Sequence, residues 1–78
     1  MEKSVEKLEL TIGEKRVRTS FNVSNDNFVD RIKQESASLI NQLDSLKDSA
    51  EPEKLRLISL AQTAYEEAAM WAVKAVTF

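Results

Sequence analysis

The stretch from Pro52 to Val76 limits the fold more than any other part of this chain. After Pro52 it contains neither glycine nor proline, so nothing in it interrupts a helix. Apolar residues recur at helical spacing at Leu55, Ile58, Ala61, Tyr65, Ala68, Ala69, Ala72, Ala75 and Val76. Leu57, Leu60, Ala64, Met70, Trp71 and Val73 widen that stripe until it nearly encircles the last turns. One neighbouring helix covers only one face, so a helix this apolar needs further partners. Its many alanines let backbones approach closely. The expectation is an interface with other copies through Ala61, Tyr65, Ala68, Ala69, Trp71 and Ala72. The competing expectation is that the N-terminal arm folds back over this surface. Tyr65, Met70 and Trp71 read as packing residues rather than as a cofactor box.

The rest of the chain supplies one clear partner. Val29, Ile32, Leu39, Ile40, Leu43 and Leu46 follow a helical period, which predicts a helix over 26–47. Ser24, Asn25 and Asp26 offer N-cap side chains before it. Asp30, Lys33, Gln34, Ser38, Asn41 and Asp44 fall on the expected polar face. A turn follows at 47–52, and Pro52 suits the first position of the second helix, over 52–76. Residues 1–25 are less regular. Leu8, Leu10 and Ile12 alternate, as do Val17, Thr19, Phe21 and Val23, which suits a small hairpin. Val5, Leu8 and Ile12 also share a helical face, with Gly13 placed to close a short helix. The fold class read here is mainly α. It is an antiparallel two-helix hairpin, preceded by a short N-terminal helix or extended arm, in a single domain over 1–78 that assembles as an oligomer.

Several function classes are excluded by composition. The 78 residues contain no cysteine and no histidine, which removes thiolate metal sites, Ser/His/Asp triads and Cys/His dyads. One glycine cannot build a phosphate-cradling Gly-rich loop. No cofactor or metal is expected, and no enzymatic activity. Hydrophobic residues make up 42% and charged residues 31%, which suits a folded, water-exposed protein. No apolar run approaches the ~20 residues a bilayer span needs, and the N-terminus lacks a secretory h-region, so no membrane is expected as a partner. An intracellular location is the expectation.

Net charge is −2, which disfavours binding of a DNA or RNA duplex through a basic face. The charge is unevenly spread. Residues 14–33 carry five lysines and arginines against three acids, while 34–78 carry four against seven. A basic patch of that size suits a small anion. Arg16, Arg18, Phe21 and Asn22 combine guanidiniums for phosphates, an aromatic ring for stacking on a base and an amide for its edge. The alternative is an amphipathic arm with Val17 and Phe21 buried and the arginines in water. Arg31 and Lys33 sit in the first turns of the expected helix, where backbone N–H groups also favour anions. Glu66 and Glu67 are adjacent, so their side chains point about 100° apart and do not readily flank one bond. Surface carboxylates or a salt bridge is the better reading for them.

Ser59-Leu60-Ala61 with Thr63, then Glu66-Glu67-Ala68 and Met70-Trp71-Ala72, resembles the helical-hairpin domain of phage anti-CBASS cyclic-oligonucleotide sponges, shared with the anti-Thoeris sponges. Arg16-Val17-Arg18 with Phe21-Asn22 and Ser24, followed by Val29-Asp30 and Ile32-Lys33, looks like the longer variant of that family. The resemblance covers about residues 12–76. It implies an interlocked homohexamer that binds cyclic dinucleotides between protomers, and in some members cyclic trinucleotides, without cleaving them. It further implies that Phe21 and Lys33 belong to the dinucleotide pocket and Arg56 to the trinucleotide site. The phage protein would then act in the cytoplasm of the infected bacterial host, withholding the signal from CBASS effectors. A sponge for cyclic ADP-ribose-type signals and a protein-interaction module remain the alternatives. A nucleic-acid-binding protein using Arg16, Arg18, Arg31 and Lys33 is the weakest.

Overall fold

A computed structural model of the chain describes residues 9–22 and 26–78. They form three helices, α1 (Ile12–Val17), α2 (Asn27–Asp44) and α3 (Pro52–Val76), with no strand among the described residues. The mainly helical expectation holds. The alternating residues from Val17 onward do not pair as a hairpin, because Val17 closes α1 and Arg18–Ser20 forms a turn. Val5, Leu8, Val23, Ser24 and Asn25, which entered those expectations, lie outside the described residues.

Each helix start has a local cause. Thr11 and Glu14 form a reciprocal capping box: the Glu14 N–H donates to Thr11 Oγ1 at 3.1 Å and the Thr11 N–H donates to Glu14 Oε1 at 2.9 Å. Asp26 caps α2, its carboxylate accepting from the Phe28 N–H at 2.8 Å. Pro52 opens α3, where its missing N–H costs nothing.

Gly13 corrects an expectation. It does not close a helix but sits buried in the first turn of α1, against α2. A Cβ there would collide with the Ala37 carbonyl oxygen and lie 2.8 Å from the carbonyl carbon. The same contact is tied by the Gly13 N–H, which donates to Asn41 Oδ1 at 2.8 Å, and by Asn41 Nδ2, which donates to Thr11 Oγ1 at 3.0 Å.

The buried core is small: Val17, Val29, Ala37, Ile40, Ile58 and Ala69. Gln62 is buried with it at 1% exposure, and its amide Nε2 donates to the Ile40 carbonyl at 2.9 Å. The faces of α2 also differ from expectation. Lys33 is buried, while Asn41 and Asp44, from the same expected polar face, tie α2 to α1 and α3. Phe28, Leu39 and Leu46 are exposed. Helical periodicity locates apolar faces but cannot tell which of two the protomer's own neighbours will cover, and polar side chains with partners bury as readily as apolar ones. On α3, Leu57, Ala64 and Trp71 recur every seven residues with Ala61, Ala68 and Ala75 between them, a mostly exposed apolar stripe with coiled-coil spacing.

The molecule measures 41 × 40 × 12 Å. α1 lies against both of the longer helices: Val17 packs in one cluster with Ala37, Ile40 and Ala69, and Arg16 reaches Glu66. With so few core residues, Ile40→Ala should remove about 2–5 kcal/mol, a large share of a small domain's stability. A thermal melt of the two proteins checks this; an unchanged midpoint would contradict the assigned core.

Candidate functional site

The C-terminal end of α1, the start of α2 and the middle of α3 border an open cavity of about 490 Å³. Three cations line it, Arg16, Arg18 and Lys33, together with Thr63, Glu66 and Glu67, over an apolar floor that includes Val17, Ala69 and Met70. The sequence had marked all three cations. Their surroundings differ sharply.

Arg16 is engaged within the protomer. Its Nη2 lies 2.8 Å from Glu66 Oε1, and its Nε donates to the same oxygen at 2.9 Å. Its other donors reach Thr63 Oγ1 at 3.3 Å and Gln62 Oε1 at 3.4 Å. The guanidinium therefore ties α1 to α3. Thr63, Glu66 and Gln62 are partners that spacing alone did not assign. The Arg16–Glu66 pair joins residues fifty apart, so no local pattern announces it.

Lys33 is engaged too. Its Nζ donates to the Arg18 carbonyl at 3.0 Å and to the Phe21 carbonyl. Both acceptors follow the C-terminus of α1, where the helix dipole favours a cation. Burial lowers the ammonium's pKa from its ordinary value, and Arg18 adds to that effect while Asp30 opposes it. The Nζ also lies 5.5 Å from the centroid of the Phe21 ring. Lys33 thus pins the turn over Arg18–Phe21.

Arg18 stands apart. It caps α1 in the left-handed region, with φ 59° and ψ 58°. Among the described residues its guanidinium makes no hydrogen bond or ion pair, and it lines the cavity. Phe21 is 56% exposed rather than buried, so the amphipathic-arm alternative holds for Val17 and not for Phe21.

The other marked residues lie around this centre. Asn22 Nδ2 donates to the Asp26 carbonyl at 3.0 Å and to Asp30 Oδ1 at 2.8 Å, tying the turn to α2. Arg31 stacks 5.6 Å over the exposed Phe28 ring. Arg56 forks onto Glu53, one turn away, and lies ten positions before Glu66, about 15 Å along α3. It does not join the cavity. Of the marked interface residues, Tyr65, Ala68 and Trp71 are exposed and Ala61 and Ala72 half-buried. Ala69 is buried in the protomer core beside Val17, Ala37 and Ile40, so it packs inward. No group of three or more acids among the described residues could hold a metal ion, and no helix of the described residues is long and apolar enough to cross a membrane.

The arrangement offers a free guanidinium for an anion over an apolar floor, with the exposed Phe21 ring beside Lys33, which is a binding chemistry. The sequence model of a family described as Acb2/Tad1, hairpin domain, matches residues 14–77. No curated protein and no solved structure matches the chain.

Proposed function

The chain belongs to the Acb2/Tad1 hairpin family of anti-CBASS and anti-Thoeris sponges, and on that premise we propose that it sequesters cyclic oligonucleotide signals without cleaving them. Cyclic dinucleotides are the principal ligand, and CBASS effectors in the host cytoplasm are deprived of their activator. The observation that carries this reading is Arg18, an uncommitted guanidinium on the wall of a 490 Å³ cavity. That volume lies within the range of about 300–1,000 Å³ usual for ligand pockets.

In this reading Arg18 takes a phosphate through forked hydrogen bonds and Phe21 stacks on a base. Asn22 and Arg31 support the ligand from outside the cavity, Asn22 by tying the turn to α2 and Arg31 by adding positive charge in the first turns of that helix. Lys33 and Arg16 act one step back: Lys33 holds the turn that presents Arg18 and Phe21, and Arg16 fixes α1 against α3. Arg56 serves a separate site, for a cyclic trinucleotide. The copies form a homohexamer. The exposed stripe of Leu57, Ala64 and Trp71 supports assembly, because it leaves apolar surface that a second copy would bury.

The test is capture and release. Purified protein mixed with cyclic di- and trinucleotides should deplete the free ligand on filtration, and heating the retained protein should return it chemically intact. Return of a cleaved product would replace sequestration with catalysis. Depletion of a cyclic ADP-ribose isomer in place of these ligands would move the chain to the anti-Thoeris side of the family. Absence of any depletion, with a monomer by sedimentation, would favour a protein-interaction module.

A further inference from the structure

Two acidic residues, Glu66 and Glu67, line the cavity with its cations. A site shaped for phosphate alone would gain nothing from them, since like charges repel strongly where water is displaced. Glu66 is accounted for by its 2.8 Å pair with Arg16. Glu67 is different. Among the described residues it has no cationic partner, and its carboxylate meets only the Trp71 Nε1–H, at a long 3.4 Å. It stands on α3, while the free Arg18 guanidinium comes from the end of α1. The cavity therefore offers a ligand an anion-binding group from one element and an acceptor-only group from another.

An ionised carboxylate accepts hydrogen bonds and donates none, and its two oxygens suit two parallel donors. Among the nucleobases, guanine alone presents adjacent N–H donors, N1–H and the N2 amino group, on its Watson–Crick edge. Adenine sets its N6 amino group beside the N1 lone pair, and cytosine sets N4 beside N3, so each would aim a lone pair at the carboxylate. Uracil has one donor flanked by two carbonyls. Resting on the sequestration reading above, we infer that Glu67 reads the Watson–Crick edge of guanine and makes this cavity select guanine-containing cyclic nucleotides. The phosphate goes to Arg18, the guanine edge to Glu67, and the Trp71 contact is exchanged for the base.

Titration calorimetry of the assembled protein with cyclic di-GMP and cyclic di-AMP tests this. The guanine ligand should bind about 10- to 100-fold more tightly, the worth of charge-assisted hydrogen bonds to one edge. Glu67→Gln puts an amide donor against guanine, and the ratio of the two affinities should fall to about threefold or less. Trp71 is the chain's only tryptophan, so its emission supplies a second readout. Cyclic di-GMP should shift it in the parent protein and not in Glu67→Gln, while circular dichroism confirms equal helix content. A parent that binds both ligands equally, or a Glu67→Gln variant that keeps the preference, overturns this inference and leaves sequestration standing. Failure of both ligands to bind the parent overturns this inference, and the sequestration reading falls with it only if no other cyclic di- or trinucleotide is captured.

Discussion

Gly13→Ala should undock α1 and dismantle the cavity. In most helices this exchange stabilises by about 0.5–1 kcal/mol, because alanine loses less backbone freedom than glycine. Here the added methyl meets the Ala37 carbonyl oxygen, carbonyl carbon and Cα, all backbone atoms of α2. No side chain can swing aside to receive it, so one helix must move. The move breaks the bond from the Gly13 N–H to Asn41 and loosens the Asn41–Thr11 contact. It also draws Val17 from the core and Arg16 from Glu66. Overpacking of this kind costs about 1–3 kcal/mol, and the polar groups it unpairs add to that. The expected result is a melting midpoint lower by several degrees and loss of most ligand capture, since Arg18 and Phe21 follow directly from α1. Hydrogen exchange locates the effect: amides of 14–18 should lose protection while the middle of α3 keeps it. An alanine variant that melts and binds like the parent would show that α1 does not pack as described.

The helical class was legible because its causes are local. Pro52 and the uninterrupted run behind it specify α3 without help from the rest of the chain. The sequence carries one local signal for the place of α1. Thr11 and Glu14 have the spacing of a capping box, and that pattern opens a helix just before Gly13. Gly13 serves the close approach of two backbones, not helix termination, and residue type alone does not separate these two uses. Lys33 and Gln62 were illegible for a different reason. Their burial depends on carbonyls of Arg18, Phe21 and Ile40, which only the folded chain delivers. The sequence placed cations in one segment, and composition made an anion their natural partner. It could not separate Arg16 from Arg18. Two positions apart, one lies within α1 and folds onto α3, while the other caps α1 in a left-handed conformation with its guanidinium unengaged.

That separation yields the second large effect, because at Arg18 stability and function should part company. A side chain in the left-handed region costs about 1–2 kcal/mol relative to the ordinary helical one, and glycine is the usual occupant of such a cap. Arg18→Gly removes that strain and gives back part of the gain through a freer unfolded chain. Its guanidinium has no partner among the described residues to lose, and its carbonyl stays available to Lys33. The melting midpoint should therefore hold steady or rise. Capture of cyclic dinucleotide should fall by about 100-fold, since two charge-assisted hydrogen bonds to phosphate are worth about 3 kcal/mol or more together. Arg16→Ala should behave in the opposite way, lowering the midpoint by unpairing the half-buried Glu66 and stranding Gln62. Calorimetry and thermal melts on the two variants place each arginine. If Arg18→Gly melts early and binds normally, Arg18 is structural and the phosphate is held elsewhere. If it melts late and binds poorly, the chain keeps an arginine where glycine would fold better, and ligand binding is the reason.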